Sequence, residues 1–103
     1  MQILEITLPP AANPARVKKV IDATLASAGL EVSLRGTLKQ FPGCTHWHAK
    51  LAGQSGTLEL TLWPEPHRAW ISIQSGRTAE WITERLPKIR EALDRKLAAL
   101  HGM

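Results

Sequence analysis

At 103 residues, with 44% hydrophobic and 21% charged positions, the chain is long enough for one hydrophobic core, too short for two, and globular rather than disordered in composition. Its single cysteine excludes an internal disulfide, and no apolar run approaches the roughly 18–20 residues of a membrane helix. A net charge of +4, without a block of like charges, leans toward acidic partners but makes no basic tail. The expectation is one cytoplasmic domain over residues 1–103, with no leader segment and no membrane partner.

The first predicted element is a strand over Gln2–Leu8, where Leu4, Ile6 and Leu8 alternate with Glu5 and Thr7 until Pro9-Pro10 ends the ladder. Asn13-Pro14 then opens a helix, asparagine as N-cap and proline in the first turn. Val17, Val20, Ile21, Leu25 and Ala28 share its apolar face, and Gly29 supplies the left-handed cap. Four strands follow: about Glu31–Lys39, Cys44–Leu51, Thr57–Trp63 and Ala69–Gln74. Their inward residues are Val32, Leu34 and Leu38; Trp47, Ala49 and Leu51; Leu58, Leu60 and Leu62; and Ile71 and Ile73. Turns at Phe41-Pro42-Gly43, Gly53-Gln54-Ser55-Gly56 and Pro64-Glu65-Pro66-His67 separate them. A closing helix from about Thr78 to Leu100 carries an apolar stripe from Ile82 to Leu100, and Pro87 is expected to kink or split it near Leu86. The fold class is therefore α+β: a two-layer sandwich, β-α-β-β-β-β-α, mostly antiparallel, with two amphipathic helices on one sheet face. The first strand belongs at an edge, beside the fifth strand or the second.

The other sheet face is the informative one. Pairing the hairpins with apolar residues on one side gives three rows across it: Arg35, His48, Glu59 and Gln74; Thr37, His46, Thr61 and Ser72; Lys39, Cys44, Trp63 and Trp70. A slip of two residues would keep the same residues on the face and change their neighbours. Aromatics that stack and cations that meet phosphates make a nucleic-acid surface, so the candidate ligand-binding residues are Arg35, Lys39, His46, His48, Glu59, Trp63, Trp70 and Arg77. A paired tryptophan surface also suits a second copy of the chain or another protein.

A third reading is local. Cys44, His46 and His48 point the same way along a strand, and with Glu59 or His67 they offer ligands for zinc or copper or a small-ligand site. No Cys-x-x-Cys or His-Glu-x-x-His spacing accompanies them. A cysteine nucleophile would need more than Cys44 beside His46, and there is no glycine-rich phosphate loop. Neither a catalytic set nor a cofactor is expected, and the leading reading is a non-enzymatic binding module. Ser75-Gly76-Arg77-Thr78 reads first as a turn with Thr78 as N-cap, and only second as a small anion site. The element order is similar to that of the TATA-binding-protein half-repeat, a resemblance that implies nucleic acid on the open face. The intercalating phenylalanines of that family have no counterpart here, since Phe41, the only phenylalanine, falls in a predicted turn.

Overall fold

A computed structural model describes residues 1–100. It contains β1 (Gln2–Ile6), α1 (Pro14–Ser27), β2 (Glu31–Gly36), β3 (Thr45–Lys50), β4 (Leu58–Trp63), β5 (Arg68–Ile73) and α2 (Glu80–Ala98), with a 3-10 turn over Ser75–Arg77. The five strands form one antiparallel sheet in the order β1-β5-β4-β3-β2, so the first strand is at an edge, beside β5. No helix among the described residues is long and apolar enough to cross a membrane.

Local chemistry explains the element ends. Asn13 Oδ1 accepts from the backbone N–H of Ala15 at 2.8 Å and of Arg16 at 3.4 Å, with Pro14 directly behind it. At the other end of α1, Gly29 at φ 77° lets its N–H donate to Ala26 O and that of Leu30 to Leu25 O. These two bonds close the helix with a Schellman motif. α2 begins at Glu80 instead of Thr78, with Ala79 at the N-cap and no side-chain cap. It runs as one helix through Pro87, so the expected split near Leu86 does not occur. Pro87 is on the exposed side, where water can serve the carbonyl that its ring deprives of a donor.

The core lies between the sheet and the two helices. Trp47, Leu58, Leu60, Leu62 and Ile71 from the inner strands meet Val17, Ile21 and Leu25 of α1 and Ile82, Leu93 and Leu97 of α2, all essentially without solvent contact. Strand alternation puts His46, His48, Glu59, Thr61, Trp70 and Ser72 on the opposite face.

Two registers differ from expectation. β4 and β5 pair with Trp63 opposite Arg68, Thr61 opposite Trp70 and Glu59 opposite Ser72. The hairpin is two residues tighter than a Trp63–Trp70 pairing requires. The turn 64–67 closes with His67 N–H donating to Pro64 O at 2.9 Å, and His67 takes φ 57°. Face membership survives because the slip is even.

β2 departs further. A bulge between Val32 and Leu34 shifts the register, so Val32 opposes Ala49 but Leu34 opposes His48. Arg35 then lies opposite Trp47, on the helix face, and Leu34 turns outward with 49% exposure. Placing Arg35 on the open face and Leu34 in the core is therefore incorrect. The shift gives Arg35 two partners on the helix side, Asp22 of α1 at 3.5 Å and the Trp47 ring at 5.7 Å. β2 also ends at Gly36, so Thr37 and Lys39 belong to the β2–β3 loop rather than to a sheet row.

Candidate metal centre

The β3–β4 pairing sets His46 opposite Thr61 and His48 opposite Glu59. Because residues two apart share a face, these four side chains stand together in the middle of the open side. His46 is 4% exposed and Glu59 5%, whereas His48 is half-buried. The Nε2 of His46 is 3.1 Å from Glu59 Oε1, and the Nε2 of His48 is 3.5 Å from the same oxygen. One ligand atom from each of the three residues lies within 4.8 Å of the other two.

His46 Nδ1 meets Thr61 Oγ1 at 2.8 Å. Without a metal, one proton arrangement satisfies both ring nitrogens: the Thr61 hydroxyl donates to Nδ1, and Nε2–H donates to Glu59 Oε1. Reversing the first bond, so that Nδ1–H donates to Thr61, turns the Nε2 lone pair toward the carboxylate. That arrangement needs a cation between the two atoms, and the hydroxyl serves either case.

Burial lowers the basicity of His46 below the ordinary histidine value of 6.5; the Glu59 charge opposes this and His48 adds to it. The imidazole is thereby kept neutral, the form that ligates metals.

The second oxygen of Glu59 is the anomaly. Oε2 is buried and has no hydrogen-bond partner. The Arg77 guanidinium stands 3.7 Å away, close enough for attraction but too far for a hydrogen bond. A buried carboxylate oxygen left bare costs on the order of 1–3 kcal/mol or more, so such atoms call for an explanation.

Above this cluster is a recess of about 510 Å³, open to solvent and walled by Leu38 and Gln40 of the β2–β3 loop and by Gln74, Gly76 and Arg77 beyond β5. Strand periodicity does not determine where this loop lies. Phe41 folds back over the open face, 4.9 Å from the Trp63 ring and 5.0 Å from that of Trp70. Trp63 donates its indole N–H to Pro42 O at 2.9 Å. Beneath Phe41, Trp70 is 5% exposed, with Arg68 stacked over its ring at 4.7 Å and paired to Glu5. The one available signal was Phe41 itself, a large apolar ring in a turn that must find cover somewhere.

Of the eight candidate residues, the fold unites His46, His48, Glu59 and Arg77. Trp63 and Trp70 are not directly opposite each other and both meet Phe41, Lys39 is exposed in the loop, and Arg35 is on the helix face. Cys44 does not join the histidines: its buried Sγ accepts from Leu38 N–H at 3.3 Å. His67 is committed elsewhere, with Nε2–H donating to Pro9 O at 2.7 Å.

Two imidazoles and a carboxylate are a ligand set for zinc and its first-row neighbours. In a tetrahedral site with bonds of ~2.0–2.1 Å, adjacent donors stand roughly 3.3–3.4 Å apart. The His46–Glu59 and His48–Glu59 separations of 3.1 and 3.5 Å bracket that edge, while the three donors together span up to 4.8 Å, so the two imidazoles would close toward each other on an ion.

Comparison with protein-family models, curated proteins and solved structures finds no match for this chain.

Proposed function

We propose that this chain is a metal-binding domain that holds one divalent transition-metal ion, zinc foremost, through His46 Nε2, His48 Nε2 and the Glu59 carboxylate. The observation that carries the reading is Glu59 Oε2, a buried carboxylate oxygen without a hydrogen bond, beside two imidazole nitrogens that share the other oxygen. A cation held by both oxygens of the carboxylate would resolve this arrangement: Oε2 gains its missing partner, and both nitrogens direct lone pairs at the same point. Thr61 would keep His46 oriented through its other nitrogen, the role an outer hydrogen bond commonly plays for a ligating histidine. Three protein donors leave a position open toward the recess.

The nucleic-acid reading of the same face ranks below this one. It relies on Trp63 and Trp70 as stacking platforms and on Arg35, Lys39 and Arg77 for phosphates, but Phe41 lies against both rings and Arg35 is on the helix face. A protein partner has one observation in its favour, the exposed Leu34 on edge strand β2 and Ile3 on edge strand β1, both on the open face.

The test is metal titration of untagged protein. Cobalt(II) should give the intense visible absorption of a four-coordinate nitrogen–oxygen site, saturating at one equivalent and displaced by zinc. Glu59→Gln and His48→Ala should each weaken binding at least tenfold. Featureless cobalt spectra together with no zinc retained after dialysis would sink the proposal.

A further inference from the structure

Resting on the metal reading, we infer that the metal-loaded site captures a small oxyanion, a carboxylate or a phosphate, which bridges the metal's open position and the guanidinium of Arg77.

Charge is the first argument. A divalent ion, one carboxylate and one guanidinium sum to a local excess of about two positive charges when the imidazoles are neutral. Glu59 is the only acidic side chain among the described residues that line the recess, so the protein does not balance that excess itself. A ligand from solution must do so.

The second argument concerns Arg77. In the metal-free protein its partner is Glu59 Oε2 at 3.7 Å, a distance without hydrogen bonding. Ligation through both carboxylate oxygens would draw the Glu59 charge onto the ion and weaken its hold on Arg77, which stands at the rim. Guanidinium presents paired N–H donors matched to two oxygens of one carboxylate or phosphate, and it is more weakly hydrated than an ammonium group.

Third, the backbone of Arg77 is held while its side chain is free to adjust. Its N–H donates to Gln74 O at 2.9 Å, and its carbonyl accepts from Thr57 N–H at 3.0 Å. Gly56, at φ 98°, makes the latter approach possible. A Cβ there would come within 2.6 Å of Ala79 Cβ and 3.2 Å of Arg77 O. The half-exposed side chain then spans from this anchor to the cluster. Gln74 and Gln40 add amide donors to the same wall, and Gly76 leaves the mouth open, with nothing within 4 Å of where its Cβ would stand.

The consequence is reciprocal coupling: the anion tightens the metal, and the metal creates the anion site. The experiment titrates inorganic phosphate, and separately acetate, into the cobalt-loaded full chain at constant ionic strength, following the visible absorption. Saturable spectral change is expected with at least one of the two. Arg77→Gln should weaken that binding tenfold or more, and Arg77→Lys by less, while cobalt affinity in buffer free of either anion stays equal to or slightly above wild type. Which anion binds more tightly identifies the chemical source of the ligand. If cobalt binds but neither anion changes its spectrum, or Arg77→Gln responds as wild type does, the inference is overturned and the metal site stands. If cobalt does not bind at all, both fall together.

Discussion

Phe41 covers Trp70, with ring centroids 5.0 Å apart and planes at 78°, an edge-to-face contact on the sheet side that no helix shields. One loop thereby removes a stacking surface and leaves the histidine–glutamate cluster as the accessible chemistry of that face. Truncating the ring tests this directly. Phe41→Ala should destabilise the fold by about 1–3 kcal/mol, less than a fully buried phenylalanine because this one is only partly buried. Tryptophan emission should shift to the red as Trp70 gains water. Urea denaturation followed by fluorescence reads both effects; unchanged emission would mean that Phe41 does not cover Trp70 in solution.

Zinc should stabilise the chain through its ligands. At a hundredfold excess over its dissociation constant, an ion that binds only the folded state adds about 2.7 kcal/mol. Thermal unfolding with and without zinc should show an upward shift that chelator reverses and that His48→Ala abolishes. His48 is half-buried, so its truncation leaves the metal-free fold intact.

Asp22 and Arg35 separate a buried hydrogen bond from a surface ion pair. Trp47 donates its indole N–H to Asp22 Oδ1 at 2.8 Å from a side chain with no solvent contact. Asp22→Ala leaves that donor unpaired and should cost about 1–3 kcal/mol. Arg35, half-exposed at 3.5 Å from Asp22, should cost less than about 1 kcal/mol on mutation to Ala. Arg35→Ala should leave cobalt binding unchanged, since Arg35 is on the opposite sheet face from His46. A metal defect in that variant would refute the helix-side placement.

Acid should weaken the metal-free fold through His46. Burial keeps its proton affinity in the folded state below the ordinary value of 6.5. Below pH 6.5 the unfolded chain therefore takes up a proton that the folded chain refuses, and stability falls as pH falls toward the folded value. Stability from this source is complete only above about 6.5, the unfolded value, and the slope cannot exceed about 1.4 kcal/mol per pH unit for one proton. Urea midpoints in chelator between about pH 7.5 and 5.5 would measure it. His46→Gln should flatten the curve, and an equally steep curve in that variant would assign the loss to another group.

Much of the architecture follows from local rules. Alternation in β1, β3, β4 and β5, the Asn13-Pro14 opening and the Gly29 close of α1 are written in adjacent residues, and each acts over one turn or one strand pair. The same alternation places His46, His48 and Glu59 on one face, and the β3–β4 register brings them together as the hairpin spacing predicts. Tertiary structure decided the rest. The bulge at Ser33 reverses Arg35 and Leu34 because Asp22 and Trp47, distant in sequence, reward a cation on the helix side. The β2–β3 loop folds onto the sheet because Phe41 finds its apolar cover only on Trp63 and Trp70. That Cys44 leaves the histidines for Leu38, and that one oxygen of Glu59 remains bare, depends on how finished elements stack. Strand periodicity says which side of the sheet a residue takes; it carries no information on what else will lie against that side.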